Sequence, residues 1–433
     1  MNDTSTEPAP RHNGRERLQR DASKLLHTEF FVSRRRRAAA LLFSSLLAIG
    51  LGAVQPVRAD DTITFGAALS LTGKVATEAV QVQKGYDFYV RHINELGGIK
   101  VGDRRLKVAI KYYDDQSDAA TSAKLYERMI NEDGIKLLLG PYSSGITTAV
   151  SAVTEKYHLP LVVAHAAAPS LYERGFRYLF AVLTPLEQYT ANFIRMADEN
   201  KATRVAIINE NDLLARQAAE GAARQAAAAK LELVYSATYP TGTKDFSSML
   251  DVMRTKSPDL LIFCGYTGDT ITVRKAMGEQ GMNVKMMGVI LGPTLPGFVE
   301  TLGPLAEGIL EPVQWTPQDP VKDQFFGWTA AQFAEIYNKE VGYVPDYHPP
   351  QSAAALEVFQ AAIEKTGSLD PEKLRDAIAA TDIETFYGKI RFNEKGQNIA
   401  KGMSVVQSQG GKPVDVYPPS PNTGKFIFPM PAH

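Results

Sequence analysis

The sequence predicts an α/β protein of two lobes, each built around a parallel sheet. Three observations carry this. Short, wholly apolar runs such as "IKLLLG", "LPLVVA" and "PDLLIFCGY" alternate with segments of helical spacing. A strand with no polar alternation is covered on both faces, and such strands belong to βαβ units. The alternation runs in one series to about Ala181 and restarts after Pro185 as a second. The chain is also long enough, at 433 residues with 44% apolar and 22% charged side chains, for two globular domains.

In the first series, "TITFGAALSL" reads as a strand followed by a polar loop, "TGKVATEA". "QVQKGYDFYVRHINELGG" puts Val82, Tyr86, Tyr89, Val90 and Ile93 on one helical face and stops at Gly97-Gly98. "LKVAIKYYDD" is a strand, and Asp118 caps the helix "DAATSAKLYERMINEDG". "IKLLLG" then runs into the turn "GPYSSG" and a helix to about Tyr157. "LPLVVA" and "RYLFAVL" are the next strands.

The second series opens with "PLEQYTANFIRMADEN", a helix with Pro185 at its start. It continues as strand "RVAIINE", an Ala-rich helix, strand "LELVYSATY", helix "FSSMLDVMRTK", strand "PDLLIFCGY", helix "DTITVRKAMGEQG" and strand "VKMMGVI". After Gly308 the pattern changes. A strand-like "GILEPVQW" precedes three expected helices over 323–341, 350–366 and 371–381, then two short strands, "YGKIRF" and "MSVVQSQ". Helices placed after both series have to pack on one of them. The chain therefore crosses between lobes more than once, near 181–185, 311–315 and 387–392. The expected division is residues 60–182 plus 315–388 for the first lobe and 183–314 plus 389–415 for the second. Residues 416–433 form a Pro-rich, extended tail.

Charge is unevenly spread. Residues 1–59 hold ten Lys+Arg against five Asp+Glu, a net of +5, so the remainder carries −6 of the total −1. A mildly acidic body lacks the basic face that nucleic acid requires. "RRRR" at 34–37 is followed by "AAALLFSSLLAIGLGAV" and by small residues at Val57 and Ala59, the layout of an export signal. Its apolar run, roughly 17 residues, is at the short edge for a membrane span. Residues 1–59 are thus expected to be a leader that directs the mature chain to the periplasm. The single cysteine, Cys264, rules out an intrachain disulfide and reads as a small buried strand residue.

No Walker A motif, no placed G-x-G-x-x-G and no H-E-x-x-H occurs. Five histidines follow the leader, at 92, 158, 165, 348 and 433, none at metal-ligand spacing. Neither a metal nor a cofactor is expected. The turn "GPYSSG" bears three readings. A nucleophile elbow needs G-x-S-x-G, but Pro141 stands two before Ser143 and Ile146 two after Ser144. A helix cap by Ser143 or Ser144 is the plain reading. A carboxylate cradle adds to it, because free N–H groups and hydroxyls at a helix start hold an anion, and ligands of open α/β sheets lie beyond the carboxyl ends of strands. The next strand end, His165-Ala166-Ala167-Ala168, is small enough for a ligand to approach its backbone. Tyr266 ends a strand of the second series and can close over a ligand there.

The stretches "GAALSLTG", "KGYDFYVRHINELGGI", "DGIKLLLGPYSSG", "GTKDFSSML", "GYTGDTITVRKAMGEQG" and "FYGKIRFNEKGQN", in that order over nearly the whole mature chain, carry a resemblance. The chain is similar to periplasmic solute-binding proteins of the branched-chain amino acid (leucine-binding) type, which serve ABC importers. The resemblance implies two Rossmann-like lobes joined by three crossovers, that is, the type I periplasmic binding protein fold. It also implies a ligand held by lobe closure, a monomer, and permease and ATPase subunits as partners. It assigns the ligand's carboxylate to Tyr142, Ser143, Ser144, His165, Ala166 and Ala167, and an aromatic contact to Tyr266.

Departures lie on the ammonium side. Ala167 stands where a Thr is usual, an acidic residue gives way to the run Val289-Ile290-Leu291, and Leu214 and Glu78 occupy positions that are often aromatic. The expectation is therefore a carboxylate ligand with an apolar or aromatic body, a branched-chain amino acid being second. Glu78 remains available to an ammonium group. Two other classes stay open: a secreted serine hydrolase using Ser143 or Ser144, and a ligand-sensing module of the same fold.

Overall fold

The computed structural model describes residues 62–432; the leader expected over 1–59 lies outside them. The first series comprises β1 (Thr62–Leu69), α1 (Ala76–Glu95), β2 (Ile99–Val101), β3 (Arg104–Asp114), α2 (Ala119–Asn131), β4 (Leu137–Leu139), α3 (Ser144–Lys156), β5 (Leu161–Val163) and β6 (Leu179–Ala181). The second comprises α4 (Ala191–Glu199), β7 (Arg204–Glu210), α5 (Leu213–Ala228), β8 (Glu232–Tyr239), α6 (Ser247–Thr255), β9 (Leu260–Cys264), α7 (Thr267–Glu279), β10 (Met286–Val289), α8 (Phe298–Leu302) and β11 (Leu310–Val313). The remainder comprises α9 (Ala330–Val341), α10 (His348–Thr366), α11 (Pro371–Ala379), β12 (Asp382–Thr385), β13 (Gly388–Arg391), β14 (Ser404–Gln409) and β15 (Lys412–Tyr417).

These form two sheets, in the orders β2-β3-β1-β4-β5-β6 and β15-β14-β11-β10-β9-β7-β8, plus the β12-β13 hairpin. Pairing among β1, β3, β4, β5 and β6 is parallel, as is that among β7 to β11. The wholly buried strands the sequence marked, such as β4, β5 and β9, are buried at every residue. Cys264 ends β9 fully buried, and burial pushes its thiol pKa up to about 12.

Each sheet reverses its order of addition once. In the first, the reversal lies between β1 and β4; in the second, between β7 and β9. Loops diverge at such a point and leave a crevice beyond the strand ends. Tyr142 and Ser143 lie in the turn after β4 and Ser144 opens α3; Leu214 lies in the first turn of α5, after β7, and Tyr266 in the turn after β9. The two crevices thus carry Tyr142, Ser143, Ser144, Leu214 and Tyr266 of the residues singled out in the sequence.

The crossing segments are fastened to one another. Gln314, following β11, accepts the backbone N–H of Thr184 at 2.7 Å and the hydroxyl of Tyr387 at 3.0 Å, and its Nε2 donates to Tyr189 at 2.7 Å. Asn398 donates to the carbonyl of Val182 and receives the N–H of Arg391. Packing of α1 on α10 is equally close: a Cβ at Gly85 would stand 2.4 Å from the Pro349 carbonyl oxygen. Only glycine lets α1 reach the backbone of α10 there.

Several expected elements differ. The helix expected from 323 begins at Ala330, because Gly327 takes φ +74 and Thr329 with Gln332 forms a capping box. The residues before it pack through aromatic contacts, with the rings of Phe326 and Trp328 stacked at 4.7 Å. The short strands β2 and β12 pair in hairpins with β3 and β13. The segment from 416 onward is tied to the second sheet: Gln407 Nε2 donates to the Ile427 carbonyl and the Met430 N–H to that of Lys285.

Candidate functional site

A cavity lies between the carboxyl ends of the two sheets. From the first side come Tyr142, Ser143, Ser144, His165 and Ala167. Leu214, Ile290 and Leu291 form the facing wall, and Leu183, Tyr189 and Gln314 come from the crossing segments and the residues just beyond. Tyr347 and His348, at the start of α10, complete it. The cavity volume is about 20 Å³. That is room for about one water, so the two walls are drawn together.

Contacts across the lip hold them so. Lys74 forms an ion pair with Glu210, and its ammonium lies 4.6 Å from the Tyr266 ring centre. Glu78 accepts the hydroxyl of Thr267 at 2.6 Å and its backbone N–H at 3.3 Å. The rings of Tyr142 and Tyr266 meet edge-on at 6.4 Å. Burial pushes the phenol pKa of both tyrosines far up, so each keeps its hydroxyl proton.

Ser143 takes the N-cap position of α3 without a side-chain capping bond. Ser144 is the first helical residue, and its Oγ accepts the N–H of Ala168 at 3.2 Å. The expected side-chain cap is therefore corrected: Ser144 instead ties the turn after β4 to the turn after β5. Its hydroxyl proton has no acceptor among the described residues and remains available to an anion. The leading N–H groups of α3 add to that. Neither serine pairs with a histidine; His165 Nε2 lies 2.9 Å from Ser352 Oγ. The base that a serine nucleophile needs is absent at these serines among the described residues, which argues against the hydrolase reading. Burial and the nearby His348 hold the His165 pKa well below its ordinary value, so the ring is neutral.

Seven of the ten residues singled out in the sequence line the cavity: Tyr142, Ser143, Ser144, His165, Ala167, Leu214 and Ile290. Three do not. Ala166 is buried behind it, its carbonyl accepting from Tyr172 at 2.5 Å. Tyr266 stands at the lip, donating to Asp212 at 3.2 Å. Glu78 is spent on Thr267. Sequence reading missed Leu183, Tyr189, Gln314, Tyr347 and His348. Histidine and tyrosine before the Pro349-Pro350 helix start were a local signal; the other three arrive through tertiary crossing alone.

Among the described residues, no Asp, Glu, Lys or Arg lines the cavity. Of the acids near it, Glu78, Glu210 and Asp212 are engaged at the lip with Thr267, Lys74 and Tyr266. No cluster of three or more His, Cys, Asp or Glu suited to a metal ion occurs among the described residues. No helix among them is long and apolar enough to cross a membrane.

Comparison with known proteins supplies the frame. Residues 62–412 match a family model described as periplasmic binding protein. "Leu/Ile/Val-binding protein homolog 8" of Brucella suis is 26% identical, spanning 90% of this chain and 99% of its own. Homolog 7 of Brucella melitensis is 25% identical over the same shares. Among solved structures, the leucine binding protein LivK of Thermotoga maritima superposes with a TM-score of 0.72 at 20% identity, covering 82% of this chain and 97% of its own. A solute binding protein of R. palustris in complex with benzoate gives 0.71 at 17%, covering 86% and 97%. At such identities the structural likeness speaks for the fold.

Proposed function

Because the chain belongs to the periplasmic binding protein family, we propose that it is the substrate-binding subunit of an ABC importer, capturing a small carboxylate by closure of its two lobes. The lobes are residues 60–182 plus 315–388 and 183–314 plus 389–415. Residues 1–59 are the leader that exports it to the periplasm, where it meets the permease and ATPase subunits. It performs no chemistry on its ligand.

One observation carries the ligand class: the cavity offers hydroxyls and a helix start to an anion, and no carboxylate to an ammonium group. A zwitterionic amino acid would bury its ammonium without a counter-charge, which costs several kcal/mol. An organic acid with an aliphatic or aromatic body meets donors at one end and Leu183, Leu214, Ile290 and Leu291 at the other. With room for about one water when shut, the cavity admits a ligand only as the walls part and re-close, an open–closed equilibrium biased by cleft contacts.

A branched-chain amino acid is the second reading, favoured by the names of the Brucella relatives. A thermal-shift screen of organic acids and amino acids on the mature protein separates the two. Stabilisation by aliphatic or aromatic acids is expected. Stabilisation by leucine or valine alone would overturn the organic-acid assignment.

A further inference from the structure

A second cavity, far larger than the one between the sheets, lies beside it, with a volume of about 700 Å³. The two share no lining residue. Leu291, Gln314 and Tyr347 line the first, while Pro293, Trp315 and Asp346, one or two places along the chain, line the second. The volume falls in the range of sites for small organic molecules. Its wall is drawn from both halves of the molecule. Val406 and Val414 lie on β14 and β15 of the second sheet. Tyr343 is tied to α1: its hydroxyl accepts from Lys84 at 2.9 Å and donates to Gln81.

The lining is mostly apolar. Leu295, Val299, Trp315, Val406 and Val414 contribute, with five prolines among them. Proline holds its backbone angle fixed, so this wall is preformed. Val344 belongs to it and is 57% exposed, an apolar surface that an apolar occupant would take from water. The Trp315 indole N–H is spent on the Phe386 carbonyl at 2.8 Å, so Trp315 brings a ring and no donor.

Charge selects the other end of the occupant. Three acids line the cavity, Glu300, Asp346 and Asp415, against one base, Lys412. Asp415 Oδ2 accepts the Thr316 hydroxyl at 2.8 Å, while Oδ1 has no hydrogen-bond partner among the described residues. The nearby ammonium of Lys401 is paired with Asp319 at 2.8 Å. Burial and Asp319 raise the Asp415 pKa, so a positive charge beside it is stabilising. An anion is repelled here, whereas an ammonium group meets carboxyl groups and an aromatic ring. We propose that this cavity is a second binding site, for a small molecule with an apolar body and an amine. Its ammonium pairs with Asp415, and its body packs on Trp315, Val344 and Val414. The site takes the opposite charge from the one between the sheets, and it stands whether or not that one binds a carboxylate.

The chain has two tryptophans, Trp315 and Trp328. Trp328→Phe leaves Trp315 to report on the cavity by its fluorescence. The test is titration of that variant at neutral pH with phenylbutylamine and with phenylbutanol, one body with two heads. The amine is expected to give a saturable change in Trp315 emission, with an affinity about tenfold or more above that of the alcohol. Calorimetry on the mature parent should return the same order without the replacement. Asp415→Asn, which keeps an acceptor for the Thr316 hydroxyl, should bring the amine down to the level of the alcohol. Val344→Arg, at an exposed position, sets bulk and positive charge in the wall. It should weaken the amine by about tenfold or more while melting as the parent does. Amine and alcohol bound alike by the parent would overturn the inference. So would amine binding that ignores both replacements, or no saturable change with the amine up to its solubility.

Discussion

Gln314 and Thr184 are joined by a 2.7 Å hydrogen bond across 130 residues of sequence, side-chain oxygen to backbone N–H. The same amide binds Tyr189 and Tyr387. One side chain therefore fastens all three crossing segments while lining the cavity. Gln314→Leu keeps the bulk and leaves three buried groups unpaired, each worth about 1–3 kcal/mol. Urea denaturation should show a loss on the order of 3 kcal/mol, and calorimetry a weaker ligand. Unchanged stability would mean that the crossings hold together without it.

Glu78 and Thr267 make a contact across the lip that joins the two walls. Thr267→Val removes the 2.6 Å hydroxyl bond without touching the cavity lining. Ligand affinity should fall by on the order of fivefold, about 1 kcal/mol, while the melting temperature of the ligand-free protein hardly moves. A large loss of ligand-free stability would show that the closed form dominates without ligand.

Ser144→Ala should weaken carboxylate binding by about 1–2 kcal/mol, a hydrogen bond to a charged group. It should also cost about 1 kcal/mol of stability, because the Ala168 N–H loses its acceptor. Denaturation and titration on the same variant read the two effects apart. An affinity equal to that of the parent would reduce Ser144 to a tie between turns.

Glu311 gives the fold a pH dependence. It is fully buried on β11, accepts the N–H groups of Gly292 at 3.1 Å and Thr294 at 2.7 Å, and burial raises its pKa from 4.5 to about 7. A carboxyl raised in the folded state holds its proton where the unfolded chain has lost it. Its contribution is fully present below pH 4.5 and is lost as the pH rises to about 7. Across that window the parent should lose on the order of 3 kcal/mol relative to Glu311→Gln. Parallel stability profiles for the two proteins would refute it.

Gly85→Ala should destabilise by about 1–3 kcal/mol, since the new methyl meets the carbonyl and Cα of Pro349 at 2.4 and 2.7 Å. As α10 carries Tyr347 and His348 into the cavity, affinity should fall with stability. A neutral Gly85→Ala would show that the α1–α10 seam can slide.

Much of this was legible. Buried strands announce themselves by unbroken apolar runs, so the two series and the turn after β4 were placed from sequence. The Ser144 bond to Ala168 was not, because it joins two turns whose proximity depends on β4 pairing with β5. Gln314 and Tyr189 sit in crossing segments that have no periodicity of their own. The start of α9 was placed at 323, seven residues early, because the segment before Ala330 carries no Pro and its one Gly, Gly327, was not read as a break. The Thr329–Gln332 pair that marks the true start was present in the sequence. Glu78 looked free for a ligand, and only the approach of α7 shows that Thr267 claims it.

The lone cysteine has a practical consequence. Cys264 is wholly enclosed in β9 with its thiol held un-ionised at neutral pH, so thiol-directed dyes find nothing to react with on the native protein. A cysteine introduced at an exposed position, such as Lys244 beyond β8, would be labelled alone. The chain is thus ready-made as a fluorescent reporter of its own closure, with no background site to remove.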